Sequence, residues 1–535
     1  MKTKILLLTV LAVLTLSQAK ADTSYWDGSS WSTNWYYSGS GTVYHLKTAE
    51  DLAGFSRCFS QGYYMFGEMA GYTFILDNDI DLNGYEWTPI GIVNANRVYC
   101  SFGGTFDGNG HSIKGLHISN VDSYRSGVGL FGVIYDPNVV IKNLKVSGDI
   151  SITPTDYDNT SYGIGGIVGS IQSKNVQIDN CTSNVDITVN YGTSMVNNQV
   201  GGIVGNIYLY SSTEGVIKRC SYSGSIIVNS ANANKSDSGG IVGYDSQTPV
   251  SECSSTAIIN GIGGHEFIGG VVGQSGSDSV SVSDCFYQGT ISGSATAIWA
   301  GGISGCCKNI RNCVTIPTFV TNGGYAYLDP IEVMYNSDYK IENCYYQGAS
   351  GNYGTYISES ELKNGNPLSG FDTDIWTFEA GNYPVLSFSI HKYKVYVNTE
   401  HGIFGSLVKD GGNVNLCLDC DEGWTISNLY VNDVDCTSMV NNNVLTLKDV
   451  TEDKHVSIIY ANQTNISALK EEKGSVSVKE GKLILTDFSN KSRAFIYNTD
   501  GELLQSIIIN SEESIDLPKG IYIIKVGMKS FKVAL

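Results

Sequence analysis

Proline is scarce, at 9 of 535 residues, and charged side chains are only 16% of the chain, against about 25% in an ordinary soluble domain. Such a chain must satisfy its polar groups through Ser, Thr, Asn, Tyr and backbone pairing, which suits extended sheet better than helix. Basic residues are the minority, 33 Lys and Arg against 52 Asp and Glu, for a net charge of −19. That balance argues against nucleic acid and other polyanions as partners, because like charges repel, and it fits a solvated acidic surface. Past the N-terminus no segment approaches the ~20 apolar residues that span a bilayer, so no transmembrane segment is expected. Catalytic signatures are missing too. There is no Gly-x-Ser-x-Gly elbow and no phosphate-cradling loop. His265-Glu266-Phe267-Ile268-Gly269 opens like a zinc-peptidase motif but lacks the second histidine one helical turn on.

What is present begins with an export signal. Lys2 and Lys4 precede a short apolar run, Ile5 to Leu16, and Ala19-Lys20-Ala21 supplies a small-x-small cleavage site before Asp22, as in a secretory signal peptide. Residues 1–21 are therefore assigned as a signal peptide and the mature chain to the outside of the inner membrane, secreted or on the outer cell surface. No cysteine directly follows the cleavage site, which argues against a lipoprotein anchor.

The body of the chain repeats. Gly129-Leu130-Phe131-Gly132 is followed by Gly165-Gly166-Ile167-Val168-Gly169 and by related segments at 201–205, 239–243, 269–273 and 301–305. Their last glycines are 37, 36, 38, 30 and 32 residues apart, a period that indicates a solenoid or array. Each unit then reaches a strand-like run ending in Cys181, Cys220, Cys253, Cys285, Cys313 or Cys344, with Leu144 at the matching place in the first. Short β runs and almost no helical apolar periodicity fit one coil of a parallel β-helix per unit, stacked about 4.8 Å apart. Leucine can fill a core slot but cannot ligate a metal or form a disulfide. The cysteines therefore read mainly as buried apolar residues, with disulfide pairing as the alternative and zinc disfavoured by their spacing. The glycines allow tight corners or close backbone approach. Ahead of the repeats, residues 48–55 read as a short helix with Thr48 as N-cap and Asp51 as its capping-box partner, placed to cover the open end of the solenoid.

On these motifs, residues 44–345 resemble the bacterial GLUG-repeat family. The resemblance rests on Thr48-Ala49-Glu50-Asp51-Leu52, Leu76 to Leu82, Trp87-Thr88-Pro89-Ile90-Gly91, Gly104 to His111, Ile113 to Leu116 and Gly129-Leu130-Phe131-Gly132. It implies a surface-exposed repeat region of the kind found in adhesin-like proteins and beside peptidase domains, with no single activity attached. Residues 391–462 change to alternating strands and turns and resemble an Ig-like or InlB-type β repeat, usually a spacer. Cys417-Leu418-Asp419-Cys420 and Cys436 there could hold a disulfide, the redox-motif reading lacking its strand–helix context. Residues 463–535 are similar to the C-terminal sorting domain of the type IX secretion system. The carrying residues are Ala494 to Asn498, Asp500-Gly501, Leu517 to Val526 and Lys529 to Leu535. That implies the secretion machinery as a partner; a plain terminal β-sandwich is the alternative. The fold class expected is all-β, a right-handed parallel β-helix over 22–390 followed by two small β-sandwich domains.

Two groups stand out as site candidates. Asp77, Asp79 and Asp81, spaced by two, would share one face of a strand and offer hard oxygen ligands for Ca²⁺. A solvated face is the simpler reading, and the EF-hand positions hold Leu82 and Thr88. Trp26, Trp31, Trp35, Tyr36 and Tyr37 form an aromatic segment suited to glycans or to a host or matrix protein, or to packing onto the first coil. Asp107-Gly108-Asn109-Gly110 reads as a tight turn. A carbohydrate-active β-helix enzyme would need acids converging on a groove, and Asp107, Asp136, Asp156 and Asp158 show no spacing that selects a pair. The function expected is thus a non-enzymatic surface adhesin or binding scaffold without a resident cofactor. The alternatives are a β-helix lyase or glycoside hydrolase and a structural spacer.

Overall fold

The computed structural model describes residues 23–535 except 40, 61–69, 94–98, 121–126, 154–161, 192–197, 210–214, 295–296, 322–324, 334–339, 390–391, 400–401, 410–411, 419–423, 442–443, 451–453, 463–473, 480–481, 489–491, 499–502, 510–511 and 527–528. The signal peptide, Asp156, Asp158 and Cys420 lie outside the described residues. The chain divides into two units, residues 1–389 and 390–535.

The first unit is a stack of coils whose strands pair in parallel, each with its counterpart one coil on. One coil runs through Gln177–Asp179, Thr182–Tyr191, Asn198–Gly201 and Val204–Ile207, and the next opens at Val216–Lys218. Among the described residues this builds a ten-stranded, a six-stranded and an eighteen-stranded sheet. The architecture is all-β with long parallel sheets, consistent with a parallel β-helix. Because pairing is in register, equivalent residues form rows. Phe74, Phe106, Ile141, Ile178, Ile217, Val250, Val282 and Ile310 make one such row, buried along its whole length. Each such side chain contributes about 1.5–3 kcal/mol on burial.

The corner before the thiol row explains part of the repeat. Asn109, Asn143, Asn180, Arg219, Glu252, Asp284, Asn312 and Asn343 all sit at φ between +50° and +54°. Asparagine tolerates this left-handed conformation best among residues with a side chain, and stacking lets its amide reach the next coil. Asn143 Nδ2 donates to Asp107 Oδ1 at 3.0 Å and Asn180 Nδ2 to Asn143 Oδ1 at 2.8 Å. Where Arg219 occupies the corner, its guanidinium forks onto the Asp179 carboxylate instead.

The glycine motif has a different cause. The strands before and after each Gly-Gly corner lie back to back at the distance of bare backbone. A Cβ on Gly165, Gly201, Gly239, Gly269 or Gly301 would fall within 2.1 Å of a main-chain carbonyl oxygen three residues on. On Gly202, Gly240 and Gly270 it would meet the next coil's glycine carbonyl at 2.3, 2.1 and 2.1 Å. None of these glycines has positive φ. They are there for space rather than for backbone freedom, the close-approach alternative of the sequence reading.

Both ends of the stack are handled. The helix Ala49–Ser60 begins at a reciprocal capping box: Thr48 Oγ1 accepts from Asp51 N–H and Asp51 Oδ2 from Thr48 N–H, both at 3.2 Å. Its Phe55 and Phe59 close the first coils through edge contacts with Phe102, centroids 5.7 and 5.6 Å apart. Toward the other end, residues 357–389 form a strap that the repeat pattern does not announce. It opens with the capping box of Ser358 and Glu361 and pairs Trp376–Thr377 with Val385–Leu386. Leu362, Phe371, Trp376 and Leu386 pack with Phe286 and Val314. The Trp376 indole N–H donates to Asp284 at 3.5 Å.

Among the described residues the second unit is antiparallel apart from one pairing, Lys392–Thr399 with Lys454–Asn462. A five- and a three-stranded sheet share one apolar cluster around Val395, Leu429, Leu445 and Val456. A three- and a four-stranded sheet over 475–534 share another around Leu483, Ala494, Ile496 and Ile524.

Candidate functional site

The three aspartates do not share a face. The strand Thr73–Leu76 ends before Asp77 and the next begins at Ile80, so the chain turns a corner between them and the period-two argument fails. Each carboxylate is held separately. Asp77 Oδ1 is 2.7 Å from His45 Nδ1. Asp79 Oδ1 accepts from the Ser112 N–H at 2.9 Å and lies 3.3 Å from His111 Nδ1. Asp81 Oδ1 accepts from the Asn83 N–H at 2.8 Å. Burial pushes Asp79 up, but the bonds from Ser112 and His111 and the charge of Lys114 outweigh it and hold the carboxyl below its usual range. Among the described residues no group of three or more His, Cys, Asp or Glu is arranged to hold a metal ion.

The N-terminal aromatics separate into two sets. Trp35 is 2% exposed and packs edge-on against Phe55 and Phe74, and Trp26 is buried against Trp87. These two indoles offer no face to a ligand, so the cap claims them. Tyr36 is half-buried and stacks on Tyr44 with centroids 5.7 Å apart. Trp31 and Tyr37 stay at the surface, 51% and 79% exposed, with the Arg57 guanidinium 4.9 Å over the Trp31 ring.

Of the candidate acids, Asp136 is half-buried and Asp107 is tied down. Asp107 closes the predicted turn by accepting from Asn109 N–H at 2.8 Å. Burial pushes its carboxyl up, but Asn143, Asn109 and Lys142 together keep it low. Sequence reasoning missed Asp245 and Glu332 and met Glu266 only as part of a rejected metal motif; all three are fully buried. Asp245 takes the place of Ile207 in its row and accepts from Gln247 and Thr248 N–H. Burial raises Asp245 to about 7 and Glu266 to about 8, and lifts Glu332 well above the carboxylate range. The Ser236 side chain favours the charged form of Glu266 but does not offset its burial.

The thiol row is interior. Cys181, Cys220, Cys253, Cys285, Cys313 and Cys344 are at most 2% exposed and unpaired. Each Sγ lies 3.1–3.3 Å from the carbonyl two residues back. Burial pushes Cys181, Cys253, Cys285 and Cys313 well up, which keeps them neutral and inert.

A further aromatic row was not legible. Phe267, Trp299 and Tyr327 stand in register on adjacent strands and stack face to face, with centroids 5.1 and 5.8 Å apart. The row ends on the strand Tyr325–Asp329, where Tyr325 and Tyr327 are 75% and 54% exposed. Only the alternation Tyr325-Ala326-Tyr327-Leu328 hinted at it.

Comparison with known proteins adds little. No family model matches the chain, and no curated protein matches it. A solved structure from Bacteroides ovatus, described as a "putative immunoglobulin A1 protease", is similar at 19% identity over 65% of this chain and 93% of that one, with a TM-score of 0.40. Among the described residues no helix is long and apolar enough to cross a membrane.

Proposed function

We propose that this chain is an exported, non-enzymatic binding scaffold of the cell surface or surroundings, a GLUG-type solenoid that contacts glycans or a host or matrix protein. In this reading residues 391–462 are a spacer and 463–535 a type IX sorting domain, each a β-sandwich. The coils are right-handed, as parallel crossovers overwhelmingly are. The observation that carries the reading is the division of labour in the solenoid. Asp107 is held in its corner and Asp245, Glu266 and Glu332 are packed inside, while Trp31, Tyr37, Tyr325 and Tyr327 stand at the surface. Exposed aromatic rings with polar tips suit sugars and protein partners.

The test is a glycan and matrix-protein array probed with the chain from Asp22 onward. Retention on a defined class of ligand, reduced by Trp31→Ala or Tyr37→Ala with unchanged melting, is the expected result. Silence on every array, or turnover of a polysaccharide by the purified chain, overturns it.

A further inference from the structure

The strand Tyr325–Asp329 is the last rung of its arm. It pairs in parallel with Ala297–Gly301, and among the described residues no strand pairs with its other edge. The direction of its peptide groups follows from parity. In a parallel pair a residue sends both its N–H and C=O to one neighbour, and the next residue sends both to the other. Gly302 N–H donates to the Asp329 carbonyl at 3.1 Å, so Tyr325, Tyr327 and Asp329 face back into the sheet. Ala326 and Leu328 therefore aim their N–H and C=O groups outward.

Natural edges are blunted by lysine, proline or a bulge. Tyr325-Ala326-Tyr327-Leu328 contains none of these. The Asp329 carboxylate is 2% exposed and turned to its own chain, accepting from Ile331 and Asn352 N–H. The edge carries a second feature, the open end of the Phe267–Trp299–Tyr327 stack. We infer that this edge takes an added β-strand from a partner polypeptide: an extended, neutral or basic segment with an aromatic side chain placed to continue the stack over Tyr327. Main-chain bonds to Ala326 and Leu328 would give affinity and the aromatic position register. Charge selects the occupant. A second copy of this chain brings another −19 and is repelled, whereas a basic segment is attracted. The inference rests on the scaffold reading and names one of its binding surfaces and the class of partner there.

The probe is a fluorescein-labelled peptide of about ten residues, alternating threonine and valine, with a central tyrosine and a lysine at each end. It is titrated by anisotropy against the chain from Asp22 onward. Ala326→Pro removes only the outward N–H, a position where an edge strand accepts proline. It is expected to weaken binding at least tenfold while circular dichroism and melting stay put. Tyr327→Ala is expected to cost about three- to tenfold. Tyr327→Lys, which adds a repelling charge without touching the backbone, serves if the proline variant does not fold. No binding by the parent chain, or equal binding by Ala326→Pro and Tyr327→Lys, overturns the inference. So does an oligosaccharide that binds through Tyr325 and Tyr327 unaffected by Ala326→Pro. The same preparations on the glycan and matrix array separate the two readings. Array binding without peptide binding removes the edge site and leaves the scaffold, and loss of both removes both.

Discussion

Replacing Gly240 by alanine tests whether the glycine motif is about space or about turning. A Cβ there would sit 2.1 Å from the Gly270 carbonyl oxygen and 2.2 Å from Ser255 Oγ. An ordinary C···O contact is about 3.3 Å or more, so the two coils would have to part locally by roughly 1 Å. Overpacking of that kind costs about 1–3 kcal/mol. Parting the coils also strains the bonds from Gly240 N–H to Gly269 O, 3.1 Å, and from Ile241 N–H to Val271 O, 2.8 Å, at about 1 kcal/mol each. The expected total is about 3–5 kcal/mol. Gly110→Ala is the control: nothing lies within 4 Å, but φ is +82°, so only the left-handed penalty of about 1–2 kcal/mol applies. Urea unfolding followed by far-ultraviolet dichroism, with protease protection of the repeats, ranks the two. If Gly240→Ala is no worse than Gly110→Ala, or if Gly240→Asn is tolerated, the backbone-contact explanation is wrong and the glycines serve the corner.

Glu266 makes stability depend on pH. Its folded carboxyl titrates at about 8 instead of 4.5, so between those values the folded chain holds a proton that the unfolded chain has lost. Stability must then fall as pH rises from about 4.5 to 8, by up to about 5 kcal/mol from this group. Glu266→Gln should reduce that slope in melts across the range, with Asp245 and Glu332 supplying the rest, and an unchanged slope would clear the residue of the effect. The thiols of Cys181 through Cys344 should react with Ellman's reagent only as fast as the chain opens, so rapid labelling of native protein would place water in the row. Trp35→Ala should destabilise by about 3–5 kcal/mol and Trp31→Ala by no more than about 1 kcal/mol, measured as urea midpoints; equal losses would contradict the assignment of one to the core and the other to the surface.

The sequence exposed what repeats in it. Cys181 to Cys344, with Leu144 in their row, could be read as an interior column because a leucine substitution is compatible with burial and with little else. Thr48 and Asp51 announced a cap because that motif is local. Features that depend on where the path bends were hidden. Asp77, Asp79 and Asp81 looked coplanar only while Leu76 to Leu82 was taken as one strand. Arg219, Glu252 and Asp284 occupy left-handed corners where the neighbouring coils use asparagine, so no residue type marked the position across coils. Residues 357–389 form no repeat, and their purpose appears only when Trp376 is found against Phe286 and Val314. Glu266 seemed the remnant of a metal motif, yet what distinguishes it is its enclosure, which no spacing encodes.

The in-register rows make length a free variable. Along the row from Phe74 to Ile310, matching residues are separated by as few as 28 positions, Val282 to Ile310, and as many as 39, Ile178 to Ile217, yet each pairs with the next in parallel. Surplus residues are shed into loops and leave the wall untouched. A whole turn could therefore be gained or lost by gene duplication or deletion, extending or shortening the rod by about 4.8 Å without any new packing problem. The length of such a unit can thus change without changing how its coils pack.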